Sequence, residues 1–157
     1  MKRNPSPRIL FLDGPNLNVL GEREPGLYGR QTLAAIRKAV ASAARAEGAT
    51  ADFFQSNHEG EIVEALQKAR GTADGVVINP AGYTHSSVAI RDALLYCGLP
   101  AIEVHLSNPS GREGFRKVSL VEDVVVGRIC GFGGYGYVLA LLAMLNHLGN
   151  ERDRGRR

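Results

Sequence analysis

The most restrictive stretch in the sequence is GVVIN, residues 75–79. Its first four positions carry no polar side chain, so a strand there must be covered on both faces. Antiparallel sheets commonly leave one face in water. A strand apolar on both faces belongs inside a parallel sheet flanked by helices. The rest of the chain fits that demand. Short apolar runs at 8–12, 50–54, 101–105 and 124–130 read as strands. Between them lie segments with a helical period. Thr32 caps a helix to about Glu47 that turns Leu33, Ile36, Val40 and Ala44 to one side, and Gly48 ends it. A helix over 59–69 turns Ile62, Val63, Leu66 and Ala69 inward. Ser86 or Ser87 opens a third, to about Cys97, and a last one runs over 135–148. A short helical turn is expected at 112–115. Five strands interleaved with helices predict an α/β fold, a doubly wound five-stranded parallel sheet with helices on both faces.

At 157 residues the chain suits one domain spanning 1–157, with 1–7 and 150–157 read as disordered tails. The overall charge of +3 is concentrated there. Lys2, Arg3 and Arg8 give the first eight residues +3, and four arginines against Glu151 and Asp153 give the last seven +2. The body between them is left at −2, which argues against a nucleic-acid partner, since such readers carry a basic face on the folded body. No apolar run reaches the roughly 18 residues of a membrane span, and the apolar run after the basic start is too short for a secretory leader. These features point to a cytoplasmic protein without a membrane partner. Cys97 and Cys130 sit in apolar surroundings without metal-ligand spacing and read as two buried thiols.

Ligands in open parallel sheets bind beyond the carboxyl ends of the strands. Four strand ends here are followed by polar clusters: Asp13 to Asn18, then Gln55, Ser56, Asn57 and His58, then Asn79 to His85, then His105 to Asn108. Their convergence predicts a polar small-molecule pocket. The glycine-rich GFGGYG, residues 131–136, lacks the Lys-Ser/Thr of a phosphate loop and follows the last strand, so it reads as a tight turn into the final helix.

Four blocks carry a family resemblance. GPNLN followed by EREPGLYG, then FFQSNHEGEIVEAL, NPAGYTHSSVAIRDAL and EVHLSNPSGREGFR, resemble in order the signature blocks of the type II dehydroquinases, over about residues 9–148. The resemblance implies a flavodoxin-like fold and a cofactor-free anti elimination of water from 3-dehydroquinate, through an enolate, to 3-dehydroshikimate. It needs neither a metal nor a Schiff-base lysine, and Lys2, Lys38, Lys68 and Lys117 all fall outside the motifs.

Position by position, the resemblance implies Tyr28 as base and His105 as acid. A free tyrosine titrates near 10, and bringing it to about 7 takes roughly 4 kcal/mol of preferential phenolate stabilisation. Arg23, five residues earlier, is the implied source of that stabilisation. Gly21, Gly26 and Gly29 suit a mobile lid carrying both. Glu103, two residues before His105 on the same side of a strand, is placed to orient and charge-balance the imidazole. Asn16 is implied to stabilise the enolate oxygen through a bound water. Asn79, His85 and Arg116 are implied substrate contacts, with Leu106 and Ser107 holding its carboxylate. Arg112 bears on the closed lid, Gln55 and Glu59 order the loops beside the site or the subunit contact, and His58 reads as structural. Asp92 is implied to reach a neighbouring subunit's site in a homo-oligomer, a dodecamer built from trimers. One departure stands out: Asp13 replaces the family's asparagine, placing a negative charge near an anionic substrate.

Competing readings fit less well. A receiver-type module wants an acidic cluster after the first strand and a lysine near the last, and no lysine follows Lys117. A flavin binder wants a hydroxyl-rich phosphate loop, which GPNLN is not. An inactive relative would not need Tyr28, Arg23 and His105 intact.

Overall fold

The computed structural model describes residues 6–22 and 24–155, with the side chains of Pro25 and Tyr28 left out. Five parallel strands, β1 (Arg8–Asp13), β2 (Thr50–Gln55), β3 (Gly75–Asn79), β4 (Ala101–His105) and β5 (Gly127–Cys130), form one sheet in the order β2-β1-β3-β4-β5. That is the doubly wound, flavodoxin-like arrangement expected from the sequence. All five residues of β3 are buried, as its composition requires.

Helices cover both faces. After a short turn α1 (Pro25–Tyr28), helix α2 (Leu33–Ala46) and the last helix α5 (Tyr135–Arg154) pack on one face. There Leu33, Ile36 and Val40 meet Ile9, Phe11 and Val77 of the sheet and Ala140, Leu141 and Met144 of α5. Helices α3 (Glu59–Ala69) and α4 (Val88–Cys97) cover the other face, with Ile62, Leu66, Ile90 and Leu94 against Leu12, Val76 and Ile78. Successive strand residues point to opposite faces, which splits each apolar run between two cores. Local signals set the helix starts: the Thr32 side chain accepts from Ala35 N at 3.1 Å, and Ser87 accepts from Ile90 N at 2.9 Å. Gly48 and Gly98 take positive φ (68° each) just past α2 and α4.

Several expectations need correction. The fifth strand begins at Gly127 rather than at 124: its paired register with β4 starts at Ile102–Gly127, Val126 adds only its N–H to the Ala101 carbonyl at 2.7 Å, and Val124 closes a turn through its N–H to the Val121 carbonyl at 3.0 Å. The final helix continues to Arg154, six residues past the expected stop and into the stretch read as a tail. Gly149 costs an interior helix only about 1 kcal/mol, and an Arg154–Glu151 pair supports the last turn. At the other end Pro7 accepts from Thr50 N at 2.8 Å, so the chain is tied to the sheet from there. The tail residues 1–5 and 156–157 lie outside the described residues. The expected turn at 112–115 is two separate 3-10 turns, Pro109–Gly111 and Gly114–Lys117. Cys97 is buried, but Cys130 is only half-buried.

Candidate active site

The strand order reverses direction between β1 and β3, so a crevice opens beyond their carboxyl ends. A cavity of about 220 Å³ lies there, lined by Asn16, Asn79, His85, His105, Arg112 and Arg116 among others, with Leu106 and Ser107. A larger cavity of about 600 Å³ runs beside β2 and α3, but it gathers none of the residues selected from the sequence.

Close backbone approach builds the rim. Gly14 N–H donates to the Asn79 carbonyl at 2.8 Å. A Cβ on Gly14 would stand 2.4 Å from the Pro80 carbonyl oxygen, so only glycine lets the two loops meet. Asn16 follows in a left-handed conformation, φ 67°, and its N–H donates to Asn57 Oδ1 at 2.9 Å. Gln55 braces the same loop through the Gly14 carbonyl, and Tyr83 Oη donates to the Asn57 carbonyl. The loop-ordering role expected of Gln55 is present. Beside it, Ser56 Oγ donates to Glu61. His58 is exposed at the start of α3, and its N–H donates to Ser56 Oγ.

His105 ends β4, and its Nε2 lies 2.6 Å from Glu103 Oε1. The period-two geometry of a strand puts both on one side, as the spacing required. Glu103 is fully buried, and four neighbours answer its charge. Besides His105, Thr84 Oγ1 donates to Oε1 at 2.8 Å, Ser119 Oγ to Oε2 at 2.9 Å, and Arg128 Nε stands 2.7 Å from Oε2. Arg128 comes from the adjacent strand position, paired in register with Glu103. Burial alone would push this carboxyl up. The hydrogen bond and charge of His105, with Thr84 and Arg128, outweigh it and hold the group below the usual carboxylate range. An ionised Glu103 only accepts, so His105 carries its proton on Nε2 and leaves Nδ1 for a ligand.

His85 Nδ1 is 2.6 Å from the Val118 carbonyl, which also only accepts, so Nε2 is its free ring atom. Arg116 donates to Glu113 at 2.9 Å and lies over the Phe115 ring. Arg112 is mostly covered, near the same glutamate. Asn79 is 2 % exposed, with Nδ2 donating to Tyr137 Oη at 2.9 Å and Oδ1 accepting from Ala81 N at 3.1 Å.

Asp13 does not line the cavity. Its side chain turns to the opposite core, where Tyr137 Oη donates to Oδ1 at 2.8 Å and Arg37 stands 3.5 Å from Oδ2. Its carboxyl is pushed up to about 6 by burial, against the opposing pull of Tyr137 and Arg37.

The structure therefore brings together Asn16, Asn79, His85, Glu103, His105, Leu106, Ser107 and Arg116. Asp92 stays apart, exposed on α4. Arg23 and the Tyr28 side chain lie outside the described residues; the Tyr28 backbone closes α1 in a stretch expected to be loop. Sequence reasoning missed Thr84, Ser119, Arg128, Arg37 and Tyr137. The available signal was a carboxylate inside an apolar strand, which demands partners without saying where they lie.

Comparison with known proteins agrees with this fold. Residues 7–145 match the family described as dehydroquinase class II. A 3-dehydroquinate dehydratase from Campylobacter hominis is 55% identical over 138 residues, 88% of this chain and 89% of that one. A catabolic 3-dehydroquinase 1 from Aspergillus terreus is 55% identical over 133 residues, covering 85% and 88%. The crystal structure of a type II dehydroquinase from Butyrivibrio crossotus superposes with a TM-score of 0.88 at 40% identity, covering 90% of this chain and 99% of that one. Sequence blocks, sheet topology and matched length converge: the chain belongs to the class II dehydroquinase family.

Proposed function

We propose that this protein is a 3-dehydroquinate dehydratase that removes water from 3-dehydroquinate by an anti elimination through an enolate, without a cofactor. The observation that carries this reading is the buried Glu103–His105 pair at the wall of a polar cavity, 2.6 Å apart. Tyr28, its phenolate favoured by Arg23, takes the proton next to the substrate carbonyl. Asn16 stabilises the developing enolate oxygen through a bound water. His105, acting as an imidazolium with a proton on each ring nitrogen, gives the Nδ1 proton to the hydroxyl as its C–O bond breaks and keeps the Nε2 proton on Glu103, which balances the ring's charge until then. A ring held at one nitrogen by a buried carboxylate cannot rotate away from its task.

Asn79 and His85 hold substrate hydroxyls or its carboxylate, and Arg116 a hydroxyl. The Leu106 and Ser107 N–H groups with the Ser107 hydroxyl hold its carboxylate, on a loop pinned by Gly133 N–H to the Leu106 carbonyl at 2.9 Å. Arg112 bears on the closed lid. Asp92 serves a neighbouring subunit's cavity within a trimer-based dodecamer. In support, Val88, Leu95 and Tyr96 are each more than half exposed on the α4 surface that carries Asp92, an apolar face suited to a subunit contact.

The test uses purified protein and 3-dehydroquinate, following ultraviolet absorbance of the conjugated enone product. Absorbance should rise, and borohydride should not inactivate the protein in the presence of substrate, because no imine forms. Tyr28→Phe should lower turnover by at least about 10³-fold with its melting temperature unchanged. A Tyr28→Phe variant with near-normal turnover would remove Tyr28 as base.

A further inference from the structure

One buried chain of hydrogen bonds runs along the α2/α5 face of the sheet, at the carboxyl edge where the cavity opens. It starts at Asp13, at the end of β1, and passes through Tyr137 of α5 to Asn79, at the end of β3. All three are 2 % exposed or less. We propose that Asp13 is a positioning residue that, acting through Tyr137, keeps an acceptor against Asn79 Nδ2 and so holds the amide in place toward the substrate. This rests on the reading of Asn79 as a substrate contact.

The argument is one of hydrogen-bond direction. An ionised carboxylate has no proton to give, so the Tyr137 hydroxyl must spend its single proton on Asp13. The Tyr137 oxygen then offers only lone pairs, and Asn79 must meet it with Nδ2. The Tyr137 hydroxyl stays protonated because burial and the Asp13 charge both push it up. At its other end the Asn79 amide receives Ala81 N–H on Oδ1, and Ala81 holds a left-handed φ of 54°. With both ends committed, Asn79 presents one remaining Nδ2 hydrogen as a donor. A neutral group in place of the carboxylate breaks this logic. An amide or a protonated acid can donate to Tyr137, whose proton is then free to turn toward Asn79, where it meets the Nδ2 donor; because Ala81 N–H still holds Oδ1, the amide cannot flip to accept it and loses its bond to Tyr137. The positional relay thus distinguishes an aspartate from an asparagine of the same shape.

The charged and titratable groups facing Asp13 are Arg37 from α2 and Tyr137 from α5. Both favour the ionised form, whereas burial opposes it, which leaves the carboxyl titrating at about 6. The relay should therefore lose its direction as pH falls through that value.

The test combines Asp13→Asn, Tyr137→Phe and Asn79→Ala, singly and paired. Asp13→Asn should lower kcat/KM for 3-dehydroquinate about tenfold at pH 8, equivalent to about 1.4 kcal/mol. In an Asn79→Ala background the same change should have no further effect. The wild type should lose activity below about pH 6 more steeply than Asp13→Asn does. A readout independent of turnover is pH-difference infrared spectroscopy. It should show a protonated carboxyl band with a midpoint near 6, absent in Asp13→Asn and moved upward in Tyr137→Phe, which removes a bond that favours the carboxylate. An unchanged kcat/KM in Asp13→Asn, or a tenfold loss that persists in the Asn79→Ala background, would overturn the proposal. If the wild type shows no turnover but the infrared band behaves as described, the dehydratase reading fails while the relay's geometry stands.

Discussion

Two buried carboxylates sit at the same edge of the sheet, on opposite faces, and they have opposite characters. Glu103 faces the α3/α4 core with an imidazole, two hydroxyls and a guanidinium around it, and is held below the usual range. Asp13 faces the α2/α5 core with one hydroxyl at 2.8 Å and one guanidinium at 3.5 Å, and is pushed up to about 6. Burial is nearly equal, so the number and directness of partners decide the outcome. Glu103 is a charge the fold fully compensates. Asp13 is a charge the fold tolerates.

Breaking the first site should have the larger effect. Glu103→Gln removes the charge that balances His105 and leaves Arg128 facing a neutral amide. Turnover should fall about 10²-fold or more, and stability by about 3 kcal/mol, read by steady-state kinetics and urea unfolding. A stable, fully active Glu103→Gln would place the pair outside the chemistry.

The two sites should also respond to pH with opposite signs. A depressed carboxyl contributes stability that is present near neutrality and lost on acidification, which describes Glu103. A raised carboxyl contributes stability that is complete at low pH and lost as pH rises through its folded value, which describes Asp13. With 3.8 as the ordinary value and about 6 in the fold, Asp13→Asn should gain up to about 3 kcal/mol at pH 8 and nothing near pH 4. Chemical unfolding at the two pH values measures this. A variant that gains stability while losing kcat/KM would separate Asp13's positioning role from any structural one.

The smallest effect is expected at the rim of the Glu103 cluster. Ser119→Ala removes one hydroxyl from a carboxylate with three other partners, and should cost about 1 kcal/mol with kcat changed less than about threefold. A larger loss in kcat than in stability would move Ser119 from support to chemistry.

The two sites also differ in how far the sequence reveals them. Glu103 and His105 are readable because a strand places residues i and i+2 on one side. The sheet, α3, and the inward faces of α2 follow from apolar period for the same local reason. Asp13 was legible only as an oddity. Its partner Tyr137 lies 124 residues away, and no local rule joins them. The hydrogen bond that holds its side chain depends on Tyr137 reaching β1 from α5. Likewise 124–126 has a strand's composition, but only Val126 reaches β4, through its N–H to the Ala101 carbonyl, and a strand extends only as far as its neighbour's ladder.

The central claim is that His105, held by Glu103, is the acid of a dehydration. It is tested most directly by comparing kcat on 3-dehydroquinate for the wild type and His105→Ala, with folding checked by circular dichroism. The account predicts wild-type turnover and a folded variant slower by about 10²–10⁴-fold. A folded His105→Ala that turns over at nearly the wild-type rate would contradict it.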